Sequence, residues 1–375
     1  MVTSTSDSTA GWYSNPAARS WRTEPVRLDM REFHNSLPGY APTPLTPLPE
    51  AAAILKVGAV FVKDESQRLG LPAFKILGAS YAISRALSAR LGAPGVAYSL
   101  DELRKRLGAD SALSLAAATD GNHGRAVAHV ANLLGLPATI YVPAEVSRAA
   151  MDAIRSEGAT LIELSVPYDD VVKYARNATV GDAVLIQDSS WRGYEEIPQW
   201  VVDGYDTLFA EIDEQLRSAG IERLDLIVVP SGVGSFAQAA LRHYRSTEHT
   251  PSVLSVEPDT ASSVTTSLRA GRITPVSTAD TVMTGLNCGT VSELAWPILL
   301  AGLDASVTVT DSEALAAVHD LASHGVDSGP CGASTLAGAR AVLIDPDRRA
   351  ELGITDDAVV VLLSTEGRAA NPKAP

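Results

Sequence analysis

Residues 224–244 read LDLIVVPSGVGSFAQAALRHY. An unbroken apolar run ends in a turn carrying Gly232 and Gly234, then passes into a helical pattern. A strand that is apolar at every position, rather than at alternate ones, belongs in a sheet covered on both faces. A strand followed directly by a helix builds a parallel α/β unit. The two glycines allow unusual backbone angles and close approach of a ligand. The helix starting near Ser235 offers free N–H groups and the positive end of its dipole, which suits a phosphate. The same turn would serve equally as a tight connection with no ligand. It is not a Walker loop, because no Gly-Lys-Ser/Thr follows. It lacks the third glycine of a dinucleotide fingerprint.

The same grammar recurs along the 375 residues: AVFVKDES (59–66), LSLAAATDGNHG (113–124), ATIYVP (138–143), ATLIEL (159–164), AVLIQDSS (183–190), SVLSVEP (252–258) and AVVVLLSTEG (358–367). Helical patterns such as 124–134 and 148–157 alternate with them. The expectation is an α/β fold with mostly parallel sheets, long enough for two domains. Residues 1–50 are proline-rich and read as an irregular wrap over the body.

Composition sets bounds on the partners. The chain is 46% hydrophobic and 20% charged, with a formal net charge of −14. That charge argues against nucleic acid or an anionic membrane and fits simple solubility. Two distant cysteines, Cys288 and Cys331, make neither a disulfide framework nor a zinc spacing, which fits a reducing cytoplasm. The first residues lack a signal-peptide core, and no run has the length of a membrane span. No metal site is read.

In such folds ligands gather at the carboxyl ends of strands. After LSLAAA comes a turn in which Gly121 and Gly124 bracket Asn122 and His123. It could hold a carboxylate at a helix start, or merely cap the helix. After AVVVLL come Ser364, Thr365, Glu366 and Gly367, where a hydroxyl could bond a ring nitrogen or cap a turn.

Lys75 stands out among six lysines. Lys63, flanked by Asp64 and Glu65, reads as a strand-end ion pair. Lys75 sits in LPAFKILGAS (71–80) at the start of a helical pattern, among Leu71, Phe74, Ile76 and Leu77. Apolar neighbours and a helix N-terminus both disfavour an ammonium. A neutral lysine amine is a nucleophile that forms a Schiff base with an aldehyde. A phosphate cradle, a carboxylate-binding turn and such a lysine together point to pyridoxal phosphate and an amino-acid substrate.

The chain resembles the fold-type II pyridoxal-phosphate enzymes, and within them the diaminopropionate ammonia-lyase family. The matching stretches are KDESQRLGLPAFKILGASYA (63–82), ATDGNHGRAVA (118–128), SSWRGYEEIPQWVVDGY (189–205), PSGVGSFAQA (230–239), SVEP (255–258), VMTGLNCG (282–289), DSGPCGA (327–333) and LLSTEG (362–367). The resemblance implies that Lys75 carries the cofactor and that Gly232, Val233, Gly234 and Ser235 donate to its phosphate. It places Asn122 at the phenolic oxygen and Ser364 at the pyridine nitrogen. The turn Thr119, Asp120, Gly121, Asn122, His123 would hold the substrate, with His123 read as structural. Asp120, where dehydratases of the group commonly carry a small residue, reads as an acid or base beside Cα, and Asp188 as a second such group. Leu69, Pro72, Pro330 and Cys331 depart from the family pattern around the pocket.

The expected architecture has a large domain from residues 1–69 and 191–375 with the phosphate loop, and a smaller mobile domain from 70–190 with Lys75. The cofactor lies in the cleft between them. The expected reaction is α,β-elimination on a small amino acid, 2,3-diaminopropionate giving pyruvate and ammonia. A dehydratase of a β-hydroxyamino acid, a β-replacement synthase, and a non-catalytic cofactor- or amino-acid-binding protein are the alternatives. The resemblance also implies a homodimer.

Overall fold

The computed structural model describes residues 11–24, 29–108, 111–119, 121–247 and 250–370. Asp120 lies outside them. Eleven strands are present among these residues: β1 (Trp12–Ser14), β2 (Leu45–Pro47), β3 (Ala59–Asp64), β4 (Ser114–Ala118), β5 (Ala138–Pro143), β6 (Thr160–Leu164), β7 (Ala183–Leu185), β8 (Leu226–Pro230), β9 (Ser252–Pro258), β10 (Ala305–Val309) and β11 (Val359–Ser364). They form two sheets, a seven-stranded one in the order β1-β10-β9-β8-β11-β3-β2 and a four-stranded one in the order β6-β5-β4-β7. Every pairing is parallel except the two edges, β1 on β10 and β2 on β3.

The unbroken apolar runs explain the layering. All residues of β8 and β9 are buried. Helices cover both faces of each sheet, because a parallel strand can be reached only through a crossover that lies over the sheet. The register brings the carboxyl ends of three strands level: Ser364 pairs with Asp64, Leu362 with Val62, and Val228 with Leu362. The turns that follow β3, β8 and β11 therefore open on one edge.

Three strands were not expected. β1 and β2 lie in the stretch read as irregular; each is three residues long and pairs antiparallel at a sheet edge. β10 (ASVTV) alternates polar and apolar, which hid a strand buried on both faces. The strand expected in AVLIQ (183–187) leaves the ladder early, at Leu185. The Gln187 side-chain carbonyl accepts from Ala118 N (3.0 Å), and Tyr194 Oη donates to Leu185 O (2.6 Å). Side chains replace backbone partners there and free Asp188 to leave the sheet.

Lys63 also differs from expectation. Its Nζ bonds Glu211 Oε2 at 2.6 Å, and neither side chain is exposed to solvent. Arg68 joins Glu211 Oε1 (2.7 Å) and Glu65 Oε1 (2.7 Å), equally buried. Buried charges persist only when paired and hydrogen-bonded. This network ties the end of β3 to the helix Asp206–Ser218, with a partner 148 residues away that adjacent Asp64 and Glu65 could not reveal.

Candidate active site

Lys75 is delivered by a short strap. Arg68 and Leu71 bridge across a tight turn in which Leu69 and Gly70 take positive φ (53° and 80°). Ala73 then bridges Glu366, with Phe74 N donating to Thr365 O (3.1 Å) and Gly367 N to Pro72 O (2.9 Å). The strap thus lies antiparallel to the turn after β11, and the helix Ile76–Arg90 begins one residue past Lys75. Phe74 packs its ring on Tyr205 and Phe236, with centroids 4.7 and 4.3 Å away.

The apolar neighbours in the sequence do not describe the surroundings of Nζ. Lys75 Nζ lies 2.9 Å from Asp188 Oδ2. Burial alone would raise the Asp188 carboxyl, but the Lys75 ammonium prevails and holds the group well below the usual carboxylate range. His123 is buried, and its Nε2 faces the Ile186 carbonyl at 2.8 Å. Because a carbonyl only accepts, Nε2 carries the proton and Nδ1 the lone pair. Nδ1 stands 3.9 Å from Asp188 Oδ2 and makes no hydrogen bond. Burial lowers the His123 pKa, so the ring supports the site as a neutral group.

The loop after β8 supplies the other wall. Gly234 has φ +91°, and a Cβ there would lie 2.6 Å from Leu299 Cδ1; one on Gly232 would lie 2.9 Å from Cys288 Sγ. The left-handed backbone at Gly234 favours glycine, and a Cβ at Gly232 would press on the Cys288 thiol. Among the described residues, the amide groups of Gly232, Val233, Gly234 and Ser235 donate to no protein acceptor. They lead into the ten-residue helix Ser235–Tyr244. Ser235 Oγ donates to Asp188 O (3.1 Å), which fastens this loop to the residue facing Lys75.

The third wall is the turn before the helix Asn122–Leu134. Thr119 Oγ1 accepts from Gly121 N (2.9 Å) and Gly124 N (3.0 Å) and shapes the turn from inside. Gly121 takes φ +155°, which frees the start of the helix to face the cleft. Asn122 Nδ2 donates to Glu366 Oε2 at 2.7 Å. Ser364 is fully buried, and its hydroxyl donates to Ser328 Oγ (2.8 Å).

These walls enclose a cleft of about 790 Å³, part of it open to solvent. Lys75, Asn122, Asp188 and Gly232 to Ser235 line it together. Thr119 and His123 are buried in the turn that supports it. Tyr168, Cys288, Cys331 and Glu366 line it as well. Sequence reasoning gave neither cysteine a role at the site and drew nothing from Glu366. A carboxylate two residues past the end of a buried strand was the signal for the latter. Asp327 pairs with Arg368 (2.6 Å), and Trp191 stacks on Tyr194 with ring centroids 4.4 Å apart.

The residues fit pyridoxal phosphate. Four unclaimed amides at a helix start suit a phosphate, a reachable amine suits an aldehyde, and an amide N–H suits a phenolate. Comparison with known proteins agrees. A family model described as pyridoxal-phosphate dependent enzyme matches residues 37–366. The chain is 36% identical over 350 residues to diaminopropionate ammonia-lyase of Escherichia coli K12, covering 90% of this chain and 87% of that one. The crystal structure of the Escherichia coli diaminopropionate ammonia-lyase with D-serine superposes with TM-score 0.88, at 33% identity over 97% of this chain and 95% of that one. Its complex with an aminoacrylate–PLP azomethine reaction intermediate gives TM-score 0.85 at 32% identity, with the same coverage.

Proposed function

The chain belongs to the pyridoxal-phosphate dependent enzyme family and, within it, to the diaminopropionate ammonia-lyases, and from that membership we propose that it eliminates ammonia from 2,3-diaminopropionate to yield pyruvate. The observation that carries the reading is the convergence of the Lys75 amine, the Asp188 carboxylate and the unclaimed amides of 232–235 on one cleft.

Pyridoxal phosphate, bound through Lys75, supplies an electron sink that stabilises a carbanion at Cα of the amino acid. Gly232, Val233, Gly234 and Ser235 would hold its phosphate, Asn122 its phenolic oxygen, and Ser364 would lie at the pyridine nitrogen. The protein does the rest. The turn 119–123 offers a helix start to the substrate carboxylate and fixes Cα against the lysine side of the cleft. Lys75 Nζ takes or returns the Cα proton, and Asp188 Oδ2 at 2.9 Å steadies the resulting ammonium. Asp120, carried in the same turn, is the second acid or base and favours a cationic β-amine over a hydroxyl. Two such groups would accommodate either enantiomer. The departing β-amine leaves with a proton as ammonia; hydrolysis of the remaining enamine releases pyruvate and a second ammonia.

Residues 70–190 would move as a unit over the larger remainder during turnover; the family resemblance supports a homodimer, and the two distant cysteines fit a reducing cytoplasm. The test is a comparison of kcat/KM for each enantiomer of 2,3-diaminopropionate with serine and threonine. Preference for the diamine supports the reading. Preference for serine or threonine would make the enzyme a dehydratase.

A further inference from the structure

Glu366 is 4% exposed yet joins the lysine strap, the start of the helix Pro330–Leu343 and the turn at Asn122. Its backbone bridges Ala73 in the strap that delivers Lys75. Its carbonyl accepts from Gly329 N at 2.8 Å, at the start of the helix Pro330–Leu343. Its Oε2 accepts from Asn122 Nδ2 at 2.7 Å, on the first residue of the helix that follows the substrate turn. Asn122 belongs to the four-stranded half of the molecule and Glu366 to the seven-stranded half, so this bond spans the cleft. A Cβ on Gly329 would lie 3.0 Å from Glu366 Oε1, so the carboxyl is packed into place by a glycine.

An Asn amide has two N–H groups. One is taken by Glu366; the other is left for the cleft. Without an acceptor at Oε2 the amide could rotate by 180° and present its carbonyl to the cofactor. We propose that Glu366 is a positioning residue that fixes the Asn122 amide with its second N–H directed into the cleft, at the phenolic oxygen of pyridoxal phosphate. This rests on the reading that the cofactor binds with that oxygen at Asn122. The remaining oxygen, Oε1, has no partner at hydrogen-bonding geometry. Burial pushes the Glu366 carboxyl up, against the opposing influence of Cys331, Asn122 and Lys75.

The test is a double-mutant cycle on cofactor affinity. The holoenzyme is stripped of cofactor, titrated back with pyridoxal phosphate, and followed by fluorescence and by the visible absorption band. Glu366→Leu removes the acceptor and should weaken binding about tenfold, the effect of losing one hydrogen bond to a charged group, and shift the band. Glu366→Gln keeps an acceptor and should restore both to near the parent. In an Asn122→Ala background Glu366→Leu should add nothing. If Glu366→Leu does not fold, Glu366→Met, with similar length and no acceptor, takes its place. Parent-like affinity in Glu366→Leu or Glu366→Met, or effects that add to Asn122→Ala, would overturn the proposal while leaving the lyase reading intact. No change in Asn122→Ala itself would overturn it together with the placement of the cofactor at Asn122.

Discussion

Lys75 Nζ and Asp188 Oδ2 stand 2.9 Å apart, although they are 113 residues apart in sequence and on different walls of the cleft. The pair makes Asp188 an ionised neighbour of the amine at any ordinary pH. Asp188→Asn keeps the shape and removes the charge. It should lower kcat by about 10²- to 10⁴-fold, the range for a lost proton-transfer partner, while the visible band of the lysine-bound cofactor persists. Lys75→Ala should abolish both. Parent-like turnover in Asp188→Asn would remove that carboxyl from the mechanism.

Gly234→Ala addresses the phosphate loop. A non-glycine residue at φ +91° carries strain of about 1–3 kcal/mol, and its Cβ would collide with Leu299. Cofactor affinity, measured by titration of the stripped enzyme, should fall about tenfold or more. The unfolding temperature without cofactor should change less than that with cofactor, since ligand binding adds to stability by mass action.

Glu211 should matter for stability rather than chemistry. It receives both Lys63 and Arg68 in a fully buried setting. Glu211→Ala leaves two buried cations without it and should destabilise the fold by about 3–5 kcal/mol in urea unfolding. Replacing the whole network by apolar residues of similar volume should cost far less, which separates pairing from packing.

His243 sets a pH dependence remote from the cleft. Burial disfavours its charge, but hydrogen bonds and charges from Asp206 and Asp213 prevail and raise its pKa to about 9. The folded form therefore binds the proton more tightly than the unfolded chain. This contribution is complete below pH about 6.5 and disappears as pH rises to about 9. The melting temperature should decline over that window, and His243→Gln should flatten the decline.

Much of this was legible in the sequence, for physical reasons that also mark its limits. Strands β8, β9 and β11 announce themselves because burial on both faces demands apolar residues throughout. The glycines at 232 and 234 are readable because they sit in the turn between an apolar strand and a helix, where Gly234 takes a left-handed backbone. β10 was hidden, since Ser306, buried with its hydroxyl bonded to Thr265, and half-buried Thr308 break the apolar run. The ion pairs of Lys63 and Lys75 were invisible for another reason. Both partners, Glu211 and Asp188, arrive through tertiary folding; Asp188 was named as a candidate acid or base, but nothing local pairs it with Lys75. Glu366 was overlooked because its role depends on a bond to Asn122, 244 residues away.

The most direct measurement is the ratio of ammonia to pyruvate released from 2,3-diaminopropionate by the purified, cofactor-loaded protein. The account predicts two ammonia for each pyruvate, one from the β-carbon and one from the α-carbon. Failure to consume 2,3-diaminopropionate, with the lysine-bound cofactor band intact, would contradict it.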